Sequence, residues 1–269
     1  MRKHHILPSE HGAWIWWIGP LLIGIAAAGQ RPPDVLLLAA AALCAFLLRQ
    51  PATIAVKAFS GRRSRDELRP AATALFLDAA VLLVLTLGLV ARGHAQILVL
   101  AIPGAAVFAW HLLLISRREE RGQLGIEVVG AGTLALAAPG AYWVAGGGDS
   151  LLPWLLWFLC WLQSAASIVL VYYRLGFRKL EGATPLPQRL RSARRSLAYH
   201  TFNLLLSVTF AASGRIPLAM AIAFGLMLVD AMDSIFRPPV GAPPTRIGIR
   251  QLAASSLFVA LSVVGFVAA

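Results

Sequence analysis

LLPWLLWFLCWLQSAASIVLVYY, Leu151–Tyr173, runs for 23 residues without a charged side chain, and RLGFRK, Arg174–Lys179, follows it directly. An apolar helix of about 20 residues crosses the hydrocarbon of a bilayer. Cations gathered at one end of such a span mark its cytoplasmic exit. The stretch therefore reads as a transmembrane helix leaving the membrane into the cytoplasm, and the rest of the chain repeats the pattern. The protein has 269 residues, 58% hydrophobic and 13% charged, with a mean hydropathy of +0.73. A soluble domain carries about a quarter charged residues. So little charge cannot cover a water-facing surface, and lipid must cover most of it. The expected fold class is all-α, a single integral membrane domain over residues 1–269 with about nine transmembrane helices.

Nine apolar segments carry this expectation: Ala13–Ala28, Asp34–Leu48, Ala71–Ala91, Ala95–Ile115, Ile126–Ala145, Leu151–Tyr173, Leu197–Ala212, Ile216–Phe236 and Gly248–Ala269. The first, second and seventh are short for a span. They must borrow flanking residues or lie tilted. Arg31-Pro32-Pro33 and Gly146-Gly147-Gly148-Asp149 read as turns between spans.

With this assignment the 24 basic side chains divide unevenly. Only Arg31, Arg92 and Arg215 fall on one side. The other side holds the rest, in the amino terminus and the loops after spans two, four, six and eight. The positive-inside rule predicts an inner-membrane protein with the amino terminus in the cytoplasm and the carboxyl terminus outside. Ala26-Ala27-Ala28 resembles a signal-peptidase site. Glu10, His11 and the tryptophans Trp14, Trp16 and Trp17 argue for a retained helix instead.

The net charge of +12 raises the question of nucleic acid. In a polytopic protein, basic loops mark the cytoplasmic face and its anionic phospholipids, so no nucleic-acid partner is expected. Cys44 and Cys160 lie inside apolar runs and read as small buried hydrophobes, with no disulfide framework or metal-type spacing.

Ionisable side chains inside a membrane are costly and point to function. Glu10 and His11 lie at the start of span one, Asp78 about two turns into span three, and His111 near the end of span four. Asn203 lies in span seven, and Asp230 and Asp233 near the end of span eight. All sit at cytoplasmic depth, which suggests a cavity open to the cytoplasm. Asp230 and Asp233 are three apart and share a helix face. Gln163 and Asn203 read as hydrogen-bonding glue between helices. After span two, Arg49, Thr53 and Lys57 recur every fourth residue, one face of a helix if it continues past Pro51. Arg174 and Arg178 repeat that step after span six. Two helix ends carrying aligned cations suit a phosphate or another anionic head group. Ordinary positive-inside charge is the alternative.

Pro8-Ser9-Glu10-His11-Gly12-Ala13-Trp14 resembles the E-H-G-A-W opening of the YwiC-like membrane family, and the pattern of spans and basic loops agrees along the chain. The layout also resembles the UbiA-type prenyltransferase superfamily. That resemblance implies a UbiA-like helical bundle of nine helices, with site loops after the second and sixth and a cytoplasm-open lipid cavity. Those enzymes hold a prenyl diphosphate through magnesium on N-x-x-x-D-x-x-x-D and D-x-x-x-D motifs. The corresponding positions here are Arg49, Thr53 and Lys57, then Arg174 and Arg178, so the spacing matches and the chemistry is inverted. Magnesium needs oxygen ligands, and neither set supplies a carboxylate. No metal and no cofactor are expected.

The function expected from these residues is binding of an isoprenoid or other lipid with an anionic head. Arg49, Lys57, Arg174 and Arg178 would contact the anion, and Glu10, His11, Asp78, Asp230 and Asp233 would supply acids and bases. The enzyme form is a prenyltransferase-like transferase without the Asp-rich motifs. The alternatives are a carrier or lipid-handling protein, or a scaffold, without covalent chemistry. The oligomeric state is not set by the sequence. Topology is testable directly: reporter fusions at Gly147 and at the carboxyl terminus should both report the outside, and a cytoplasmic signal at either would refute the orientation.

Overall fold

The computed structural model describes residues 14–30, 32–119, 124–180 and 184–269. Glu10 and His11 lie outside the described residues, as does the opening motif except Trp14. The helices are α1 Ile15–Ala28, α2 Asp34–Leu47, α3 Arg49–Phe59, α4 Leu68–Ala91, α5 Leu98–Arg117, α6 Leu124–Leu134, α7 Ala137–Val144, α8 Leu152–Phe177, α9 Leu186–Ala212, α10 Leu218–Phe236 and α11 Pro244–Ala268. α2 and α3 run on as one rod, Asp34–Phe59, and α6 and α7 as another, Leu124–Val144. The described residues thus form nine helical rods and no strand. Seven of the rods are long and apolar enough to cross a membrane, all but α1 and α9.

Both internal breaks have the same cause. Proline has no N–H to give the carbonyl four residues back, and its ring crowds that carbonyl. Pro51 stands four residues after Leu47, where α2 ends. Pro139 stands four after Ala135, at the turn between α6 and α7. The second rod therefore does not end at Leu48, where the run of apolar residues stops. It continues through Arg49 to Phe59. Likewise the seventh helix begins at Leu186, with Pro187 in its first turn, and carries the Arg189–Arg195 run as helix rather than loop. Proline is tolerated there because first-turn N–H groups have no intrahelical partner.

α1 lies between two apolar cores. On one side Ile23 packs with Leu156, Leu159, Met220, Phe224 and Phe258 from α8, α10 and α11. On the other, Trp17 and Leu21 pack with Leu38, Phe46, Leu89 and Val144. The contact with α7 is close: a Cβ at Gly24 would lie 2.3 Å from the Ala138 carbonyl oxygen and 2.9 Å from the Ala141 Cβ. Small residues allow such approach, and membrane helices associate through it. α6 is tied to α8 by tryptophans. At the break, the Leu136 N–H donates to Thr133 O at 3.2 Å rather than to Gly132, and Trp157 Nε1 donates to Gly132 O at 2.8 Å. Asp149 caps α8, its Oδ1 accepting from the Leu151 and Leu152 N–H groups at 2.6 and 3.1 Å. Those donors hold its carboxyl below the usual carboxylate range. α4 and α5 turn Phe76, Val84 and Ile102 outward, each about 70% exposed, 72%, 68% and 71%. In a membrane that face meets lipid.

The Gly24 contact makes a prediction. Gly24→Val should lower the Tm of the detergent-solubilised protein by several degrees, because overpacking costs about 1–3 kcal/mol. Gly88→Val has open space around it and should be close to neutral; equal effects at both sites would contradict the close approach.

Candidate functional site

Arg174, near the end of α8, is only 1% exposed. It does not point out of the bundle. Its Nε donates to Ser234 Oγ at 3.0 Å, and Nη2 reaches the same oxygen at 2.8 Å. Nη1 donates to Gln251 Oε1 at 3.1 Å, and Nη2 to Asp230 Oδ2 at 2.6 Å. Asp230 also faces Arg250, whose Nε and Nη2 donate to its Oδ1 at 2.8 and 2.6 Å. Arg250 Nη2 continues to Asp233 Oδ2 at 2.7 Å. Two cations and two carboxylates thus neutralise one another across α8, α10 and α11.

The network exists because of registers that α10 and α11 supply. Asp230 and Ser234 are four apart on one face of α10, and Ser234 Oγ donates to Asp230 O at 2.8 Å. Gln251 presents its carbonyl to the guanidinium, which can only donate, and so turns its amide toward Ser167 Oγ at 2.9 Å. His200 is 3% exposed on α9, with Nδ1 2.8 Å from Ser196 O. Ser234, Gln251 and Arg250 were not among the residues singled out from the sequence. The only signal for them was polarity inside or beside an apolar run.

The structure therefore brings Arg174, Asp230 and Asp233 together. The other sequence candidates lie apart from them. Arg49 Nε donates to His111 Nε2 at 3.4 Å, at the start of α3, which packs on α4 and α5, whereas α8 packs on α6, α7, α9, α10, α11 and α1. Lys57 lies half-buried in the last turn of α3. Arg178 Nε donates to the Ala242 carbonyl at 3.1 Å and pins the loop before α11. Asp78 is half-buried on α4, and its Oδ2 has no hydrogen-bond partner among the described residues. Glu127 accepts from the Tyr172 hydroxyl at 2.8 Å. Among the described residues, no three His, Cys, Asp or Glu side chains gather as a metal site would require.

A cleft of about 350 Å³ lies between the end of α8 and the start of α9, lined by Tyr172, Tyr173, Gly176, Phe177, Leu180, Gln188 and Ser192. The Tyr173 hydroxyl is buried with no hydrogen-bond partner among the described residues. Lys179, Arg191, Arg194 and Arg195 are exposed around the same end of the bundle.

Rods of this length and apolarity, with a neutralised ion cluster inside and a basic rim at one end, define an all-helical polytopic membrane protein. The family model described as YwiC-like protein matches residues 7–142, and the chain belongs to that family. No curated protein and no solved structure matches it. The matched residues end within α7, so the Arg174 network lies beyond them.

The network predicts an asymmetry. Asp230→Ala leaves Arg174 buried without its carboxylate and should cost about 3–5 kcal/mol. Asp233→Ala, at a side chain 37% exposed, should cost less than about 1 kcal/mol. Thermal unfolding of both variants in one detergent checks the order; equal Tm shifts would count against Arg174 being the charge that matters.

Proposed function

We propose that this YwiC-like protein binds an isoprenoid or other lipid with an anionic head group at the basic end of its bundle. In this reading that end faces the cytoplasm from the inner membrane, and the bundle has a UbiA-like layout. The observation that carries the reading is the cleft between α8 and α9. Its walls are aromatic and aliphatic where a chain would lie. Its polar groups are Gln188, Ser192 and the unpartnered Tyr173 hydroxyl. Cations crowd its rim, where a head group would meet them. Nine rods, with basic connections after the second and sixth, support the layout.

Arg174 takes a different part from the one its position suggested. Its charge is balanced by Asp230, so it braces α8 beside the cleft rather than gripping the anion. Arg49, Lys57 and Arg178 remain candidates for anionic lipid contact along the same face. Binding without covalent chemistry is the simpler form of the proposal. Among the described residues, the cleft offers two tyrosines, a glutamine and a serine, with no carboxylate, histidine or thiol in its lining.

Native mass spectrometry of gently extracted protein tests it. Wild type should retain an anionic lipid. Gly176 lines the cleft, and a Cβ there meets nothing within 4 Å among the described residues, so Gly176→Phe should project a ring into the cleft. If it also displaces a charged hydrogen bond worth about 1.5–3 kcal/mol, retention should fall about tenfold or more. Arg215→Ala, at the opposite end, should change nothing. Undiminished retention in Gly176→Phe, or equal loss in Arg215→Ala, would overturn the site.

A further inference from the structure

The Arg174 network does not stop at Gln251. Gln251 Nε2 donates to Ser167 Oγ, and Gln163 Nε2 donates to the same oxygen at 3.3 Å. The hydrogen bonds thus run without a gap from the half-exposed Asp233 to Gln163. Gln163 lies eleven residues from Arg174 along α8, about 16 Å at the helical rise of about 1.5 Å per residue. That depth is near the middle of a bilayer. Gln163 is 5% exposed, and its Oε1 has no partner among the described residues. It lines a small cavity, about 20 Å³, with Ser164, Ser255, Cys160, Trp16 and Phe258.

The polar groups on this cavity are complementary to one molecule in particular. Gln163 offers a carbonyl oxygen. Ser164 Oγ gives its proton to Cys160 O at 3.0 Å, which leaves it only lone pairs to offer. Ser255 Oγ accepts from Gln251 Nε2 at 3.4 Å and keeps its own proton to donate. Two acceptors and one donor ask for a partner that donates twice and accepts once. The volume suits one water and nothing larger. An amide carbonyl buried in lipid without a partner is costly, so the site has a physical reason to be occupied.

We propose that this cavity is a built site for a single internal water, held by Gln163, Ser164 and Ser255 near the middle of the membrane. It is not a proton path. The two amides and the guanidinium between it and Asp230 donate hydrogen bonds but do not pass a proton on. Its effect is electrostatic. It ends a chain of oriented dipoles that reaches the Arg174 charge from the membrane interior, a side from which lipid gives it nothing.

X-ray radiolytic labelling of the full-length protein in lipid nanodiscs tests this, since hydroxyl radicals form where water is bound. Phe258 and Phe224 are equally buried, 2% and 1% exposed, and meet edge to face with ring centroids 4.8 Å apart. Only Phe258 lines the cavity. It should be oxidised several-fold faster than Phe224. In Gln163→Leu, and separately in Ser255→Ala, the excess should fall to the Phe224 level. Equal labelling of the two phenylalanines in wild type overturns the proposal whatever the variants do. So does an excess that survives both substitutions.

Discussion

One constraint orders the second half of this bundle: a guanidinium stands inside it, and lipid surrounds it. Arginine does not lose its proton in a protein, so Arg174 must be met where it stands. Asp230 and Ser234 come to it from α10 and Gln251 from α11. Apolar contacts between membrane helices are weakly specific, because lipid tails replace them at little cost. The ion cluster cannot be replaced in that way. A shift of one residue in α10 would turn Asp230 and Ser234 off the face that meets α8. Buried pairs are better evidence for a unique arrangement than for net stability, and here the arrangement fixed is the register of three helices. α9 then packs along α10.

The first half is held by other means. Gly24 lets α1 rest almost on the backbone of α7, and prolines place breaks at Leu48 and at Ala135–Leu136. The second break exposes the Gly132 carbonyl to Trp157, which ties α6 to α8. The YwiC-like match falls on this half, residues 7–142. The chain thus joins a half built on close backbone contact to one built on a buried charge, with α1 packed against both cores.

The nine helical rods were legible because length and hydropathy decide them, and seven of the nine are long and apolar enough to cross a membrane. Two boundaries were not. At Arg49-Gln50-Pro51 the hydropathy drops and a proline follows, so the apolar pattern ends although the helix continues to Phe59. The Arg189–Arg195 run reads as a loop on the same ground, yet arginine is a good helix former and Pro187 sits where a helix tolerates it. At the site, the shared face of Asp230 and Asp233 was legible from their spacing. That Arg174 turns inward to an acid was legible as well, because carboxylates inside the spans need a partner at that depth; its neutral partners were not. A guanidinium at a helix end can equally snorkel to water. Beside Asp230, the partners that fix its direction are neutral: Ser234 and Gln251, on helices 60 and 77 residues away in sequence. No spacing rule on α8 could have found them.

In the proposed lipid-binding reading, the direction of Arg174 divides the work of the basic end. Arg174 and Arg250 have carboxylates, and their fields largely cancel at a distance. Lys179, Arg191, Arg194 and Arg195 are exposed, and the positive potential of this end comes chiefly from cations of that kind at the rim. A positive rim draws anions to the membrane surface, while the inner ion pairs keep the helix ends rigid beneath it. In that reading an anionic head group sits at the rim, with its chain against Tyr172, Tyr173 and Phe177, rather than at the buried arginine. That separation answers a problem peculiar to membranes. An arginine buried deeply enough to brace helices must be neutralised, and once neutralised it has little attraction left for a ligand.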